Sequence, residues 1–223
     1  MLGGGRYPPV GGVVYPARAV IRLYRAPFST NVDRVAIALA LKGLETESVV
    51  ISYEDRSPVV EVSGQGLVPV IVDDGEVIAD STRILRHLDE RYPDPPLFPV
   101  DPTRRAEVDI FLEWFNEVWK AAPNGIEDEL EQAEPDRGRV EELSARMRDS
   151  LALFEGLLQG RQYLFGELSA ADLAAIPFLK YARNRDPADD ELFHRILEDH
   201  LQLGGQYPRL AAWIERVDAL ARV

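Results

Sequence analysis

The chain has 223 residues, 46% of them hydrophobic and 28% charged, a composition that suits a soluble globular protein with ample length to bury a core. Its 25 Lys and Arg stand against 38 Asp and Glu, and the resulting net charge of −13 argues against a nucleic-acid or anionic-membrane surface. The absence of cysteine excludes disulfides, thiolate metal sites and any mechanism that runs through a protein thiol, and it fits a reducing, cytoplasmic setting.

Residues 1–18 carry Gly3, Gly4, Gly5, Gly11, Gly12 and three prolines, and read as a flexible extension with no apolar core of the kind a secretory signal needs. No apolar run approaches the ~20 residues of a membrane helix. Residues 19–25 alternate as a first strand. Over 30–42 Val32, Val35, Ala36 and Leu39 share one helical face, and Gly43 is the stop. A second strand follows at 46–52, then an irregular stretch at 53–66. Val70, Ile71 and Val72 with Glu76–Ala79 flank an Asp-Gly turn, the pattern of a β-hairpin. Pro69 cannot donate to a sheet ladder, so it opens its strand. Asp80 and Ser81 are helix-start residues ahead of Ile84, Leu85 and Leu88, and they stand beside unpaired backbone N–H groups. A peptide lying against Val68 and that helix tip would meet main-chain and side-chain partners together.

The prolines of 93–102 fix an extended linker. Beyond it every signal is helical. Val108, Phe111, Leu112, Phe115 and Trp119 form one apolar stripe; Val140, Leu143, Met147, Leu151, Phe154 and Leu158 form another; Leu210, Trp213, Ile214 and Val217 belong to the last. Ser169 and Asp172 have the spacing of a capping box, with Leu168 and Leu173 as its staple. Pro177 marks a kink and Pro123-Asn124-Gly125 a helix break. His87, His194 and His200 are scattered without metal-ligand spacing, so no metal is expected. The order β-α-β, loop, β-β-α is that of a thioredoxin-like fold, and an all-α helical bundle follows it.

Val68-Pro69 ahead of Asp80-Ser81, then Ser169-x-x-Asp172, then Tyr207-Pro208-Arg209-Leu210 with Trp213, resemble the glutathione S-transferase family over roughly residues 20–220. Ser29, five residues before Arg34-Val35, is similar to the catalytic serine of its serine-type, zeta- and theta-like branch. The resemblance implies a glutathione-binding thioredoxin-like domain at 19–93, a linker at 94–102 and a helical domain at 103–223. It implies that Val68 pairs its main chain with the cysteinyl unit, that Pro69 is cis, and that Asp80 and Ser81 hold the γ-glutamyl end. Gln65 and Arg56 are candidates for the glycyl carboxylate, although 63–66 read Ser-Gly-Gln-Gly where family members more often carry Asn-Pro.

The thiolate is the nucleophile, and a free thiol of pKa ~8.5 is little ionised at neutral pH. A hydroxyl donor aimed at the sulfur, beside the positive end of a helix, favours the anion. Ser29 fits that role, though it could equally be a simple N-cap; Thr30 and Asn31 are rivals within the same turn, and Tyr24 is another from the first strand. Phe28, Trp114, Trp119 and Asn124 are the candidate lining of an electrophile pocket between the domains, with Tyr181 and Arg185 as further candidates. The resemblance also implies glutathione as co-substrate, a small hydrophobic electrophile, a homodimer, and neither nucleic acid nor membrane as partner. The competing expectation is a non-catalytic binding protein of the same fold, or one that uses another low-molecular-weight thiol.

Overall fold

Residues 20–183 and 185–223 are described by the computed structural model, and the expected extension at 1–18 lies outside them. Four strands form one mixed sheet in the order β2-β1-β3-β4, from β1 Ile21–Arg25, β2 Thr46–Val50, β3 Val70–Asp73 and β4 Glu76–Ala79. β1 runs parallel to β2 and antiparallel to β3, and β3 and β4 make the hairpin. Its turn residues Asp74 and Gly75 have φ of 54° and 85°, so an Asp-Gly pair is what the turn demands.

Side chains alternate across the sheet as period two requires. Ile21, Leu23 and Ile71 face α1 (Thr30–Leu41) and α3 (Ser81–Arg91) in the main core, while Tyr24 and Val70 face the other way, onto Val59. Val59 belongs to α2 (Ser57–Ser63), a helix within 53–66, where the sequence predicts irregular chain. Two turns are too short to show a period, but Pro58 in its first turn and Gly64, at φ 74° behind it, are proper start and stop residues.

The segment 92–101 has no regular structure, bends repeatedly rather than running extended, and is anchored. Leu97 and Phe98 are buried; Leu97 donates its N–H to Asp89 and accepts at its carbonyl from Ala170, both at 2.7 Å. Next come α4 (Pro102–Trp114), a π-helical turn at Phe115–Trp119, and α5 (Ala121–Leu130). Pro123 therefore does not break a helix but sits in the first turn of one. The change of register falls just before it, where Lys120 N–H bonds the carbonyl of Phe115 five residues back.

The helical half is completed by α6 (Arg137–Leu157), α7 (Ala170–Leu179), α8 (Leu192–His200) and α9 (Pro208–Asp218). Every residue of α7 is buried. Asp172 in its first turn accepts four hydrogen bonds: Oδ2 from Ser169 N–H and Oγ, Oδ1 from Leu164 N–H and from Trp213 Nε1 at 2.8 Å. Burial pushes this carboxyl above its ordinary range, against the pull of those four donors. α1 packs on α7 and thereby joins the two halves.

Candidate active site

A cleft of about 950 Å³ opens between the entry to β3, the start of α3 and the face of α4 that continues into the π turn. Val68, Pro69, Asp80, Ser81, Gln65 and Asn31, all named from sequence, lie on its wall. The Val68–Pro69 peptide is cis. Asp80 caps α3, its Oδ1 accepting from Arg83 N–H at 3.0 Å, and its backbone has φ 77°, a conformation a non-glycine residue rarely adopts. That backbone sets an exposed carboxylate at the mouth of the cleft, with Ser81 buried behind it.

The floor holds residues the sequence reading did not assign. Arg34 of α1 is fully buried: Nε donates to Ala174 O at 3.1 Å, and Nη1 donates to Asn116 Oδ1 at 2.9 Å and to Ser81 Oγ at 3.3 Å. Nη2 is buried without a hydrogen-bond partner among the described residues. The guanidinium lies 5.0 Å from the ring centre of Phe178 and 5.6 Å from that of Phe115. Burial pushes it down to about 9, opposed by Asp80, and it stays cationic at neutral pH. Lys120, at the end of the π turn, is pushed down to about 8 by burial and then by Arg34. Its Nζ donates to Asn31 Oδ1 at 3.4 Å. Two desolvated cations therefore face one cleft, an arrangement that favours an anionic group opposite them.

A second hollow of about 280 Å³ shares Asn31 and Lys120 with the first and is lined by Ser29, Thr30, Asn124, Phe178 and His194 among others. Ser29 is the N-cap of α1 and half-buried, its Oγ accepting from Val32 N–H at 3.4 Å. Thr30 is buried and Asn31 half-buried. A third, smaller hollow of about 190 Å³ holds Phe28 and, again, Ser29, together with Tyr181 and Asp189.

Several candidates fall elsewhere. Trp119 is buried, stacked on Phe115 at 4.5 Å, with Nε1 donating to Ser150 Oγ at 2.9 Å, and Trp114 packs on Phe111 and Phe154; neither lines the cleft or the hollows. Both continue the apolar stripe of α4 and belong to the core. Tyr24 lies in the sheet core under α2. Arg56 bonds Tyr53 O and Gly66 O and lies over the Tyr53 ring, away from the cleft. Gln65 does line the cleft, but its amide bridges Leu67 N–H, Leu67 O and Ser63 Oγ within its own loop. Arg185 is held by Glu198 and by the main chain of Asp189. Among the described residues no group of three or more His, Cys, Asp and Glu is placed to hold a metal ion.

A model of the glutathione S-transferase N-terminal domain matches residues 23–96, and one of the C-terminal domain matches residues 137–216. A zeta-class glutathione S-transferase of Euphorbia esula is 30% identical over 202 residues, 86% of this chain and 88% of that protein. The chain belongs to the glutathione S-transferase family. Maleylacetoacetate isomerase of Pseudomonas aeruginosa is 43% identical over 93 residues, a match that spans 39% of this chain and 44% of that enzyme. FtsZ-localized protein A of Caulobacter vibrioides is 29% identical over 170 residues, 70% of this chain and 75% of that protein. The fold is that of a Tau class glutathione S-transferase from mango, with a TM-score of 0.73 at 22% identity over 91% of this chain and 90% of the other.

Proposed function

We propose that the chain is a glutathione transferase that binds the tripeptide in the large cleft and stabilises its thiolate for attack on a small electrophile. The observation that carries this reading is the meeting, in one cleft, of the Val68 main chain, the Asp80 carboxylate at the tip of α3 and the buried cations Arg34 and Lys120. Glutathione has the matching groups: a backbone for a strand edge, an α-ammonium for Asp80, and carboxylates for Ser81, the N–H groups of α3 and the cationic floor.

The cysteinyl unit beside Val68 directs its sulfur toward the start of α1. There the Ser29 hydroxyl, whose oxygen accepts from Val32, still has its proton to donate. Lys120 adds positive charge from the shared wall. Each factor of ten in thiol acidity corresponds to about 1.4 kcal/mol, and two such factors would make the thiolate the main species at neutral pH. The electrophile would enter the second hollow, over Phe178 and Asn124. A cytoplasmic homodimer is part of the same proposal. Among the described residues no helix is long and apolar enough to cross a membrane.

Calorimetric titration with glutathione tests the reading: heat at sub-millimolar to millimolar ligand is expected, and its absence removes it. The second reading is a binding protein that kept the fold, and the similarity to FtsZ-localized protein A keeps it in view. It predicts no conjugation to any electrophile even where the tripeptide binds.

A further inference from the structure

His194 is held in place on every side but one. Its Nδ1 lies 2.9 Å from the carboxylate of Asp189, which is itself buried and also accepts from Tyr181 Oη at 2.8 Å and Glu191 N–H at 3.3 Å. The Tyr181 ring stacks on the imidazole at 4.6 Å and 12°, and Phe193 meets its edge. Arg185 clamps the main-chain carbonyl of Asp189. A carboxylate on Nδ1 fixes that nitrogen as a donor and leaves the proton chemistry to Nε2. Among the described residues Nε2 has no hydrogen-bond partner, and His194 lines the hollow that holds Ser29.

We infer that His194 is a catalytic general acid that delivers a proton to the second substrate, with Asp189 and Tyr181 as its positioning residues. The inference rests on the reading of the cleft as a thiol site, and it bears on any electrophile whose conjugation takes up a proton at carbon, with an α,β-unsaturated carbonyl compound as the test case. The thiol proton leaves to solvent when the thiolate forms. The sulfur–carbon bond then forms at the β-carbon while the C=C π pair moves toward the carbonyl, giving an enolate. His194 in its protonated form transfers the Nε2 proton to the α-carbon, and the neutral imidazole regains a proton from water. Lys120, Tyr53 and Glu191 face the same hollow, so the experiment must separate His194 from them.

Two reactions make that separation in the intact chain. Addition of glutathione to 4-phenyl-3-buten-2-one needs a proton delivered to carbon; substitution on 1-chloro-2,4-dinitrobenzene expels chloride and needs none. His194→Gln is expected to slow the addition by about 10²-fold more than it slows the substitution, since the wall it lines is shared by both electrophiles. Asp189→Asn should do the same in lesser degree. Equal losses in both reactions, or none in either, overturn the inference. A second readout needs no glutathione: with ¹⁵N-labelled histidine, Nδ1 of His194 should carry the proton that faces Asp189, and the enone should shift the Nε2 signal. An unprotonated Nδ1, or an Nε2 signal blind to the enone, also overturns it. Glutathione calorimetry on the unsubstituted protein tells the two failures apart: without heat both readings fall, whereas with heat but no selective loss in His194→Gln only this one does.

Discussion

Ser29 uses its hydroxyl oxygen on the amide of Val32, and in the proposed reading its proton goes to the thiolate, so cap and donor would be one residue. Replacing it with Ala should cost about 1 kcal/mol of stability through the lost cap. The larger effect is expected on chemistry: the ultraviolet thiolate absorbance of the glutathione complex should collapse, and conjugation should fall about 10²–10³-fold, as for loss of one donor to a developing anion. Unchanged absorbance would shift the role to Asn31. Lys120 supports a separate test. Its ammonium is held down to about 8, and an anion bound beside it raises its proton affinity. S-Methylglutathione, which has no thiol to ionise, should therefore bind with net proton uptake near that pH, seen as a buffer-dependent heat in calorimetry. Lys120→Met should abolish the uptake, and binding to the unsubstituted protein should weaken as pH rises above about 8. Sequence could nominate Ser29, Asp80 and Ser81 because each precedes a helix and helix starts are written locally. It could not nominate Arg34 and Lys120, whose importance comes from burial against α7 and from the turn register that swings Lys120 into the cleft. Trp114 and Trp119 misled for the same reason, since an aromatic stripe reads alike whether it faces a core or a pocket.

The joint between the halves is electrostatic as well as apolar. Asp33 of α1 binds Lys180, just beyond α7, at 2.9 Å and Arg222, beyond α9, at 2.6 Å. Burial alone would push its carboxyl up; the Arg222 hydrogen bond and the charges of Lys180 and Arg222 outweigh that and hold it below its ordinary value. A carboxyl depressed on folding contributes stability above its unfolded value, and that contribution is lost as pH falls through the lower folded value. Asp33→Asn should cost on the order of 2 kcal/mol at neutral pH and flatten the acid limb of the stability profile. Asp172 is expected to matter more. Four donors converge on it, and Asp172→Ala would strand them inside α7's surroundings, lowering the urea midpoint by the equivalent of about 3 kcal/mol with an unchanged slope. Its raised value has the opposite sign: the folded state binds that proton more tightly, so this contribution is present at low pH and declines as pH rises through the window. The capping box was legible because it lies within four residues. The partners Leu164 and Trp213 were not, because they arrive from other segments.

Most of the order of elements was readable from periodicity, from the Asp-Gly turn and from the proline-rich joint. What escaped was α2, with its two turns, α5, whose Pro123-Asn124-Gly125 reads as a break but lies in its first half, and the π turn, whose extra residue no apolar stripe announces. Exposed Ile110 beside the cleft, two-thirds accessible in the single chain, suits the proposed homodimer. Sedimentation equilibrium should return twice the 25.0 kDa of the chain; a single-chain mass would remove the dimer from the proposal without touching the cleft.

Asn31 and Lys120 belong to the walls of both the large cleft and the second hollow. Whatever occupies one chamber resets the charge and orientation of the partition it shares with the other. With tripeptide and electrophile seated as proposed, thermodynamic reciprocity makes any effect of one on the other's affinity the same in both directions. On the proposed reading, the seating of the nucleophile would be felt in the second chamber through this lysine, and the supply of thiol in a cell would set how receptive that chamber is.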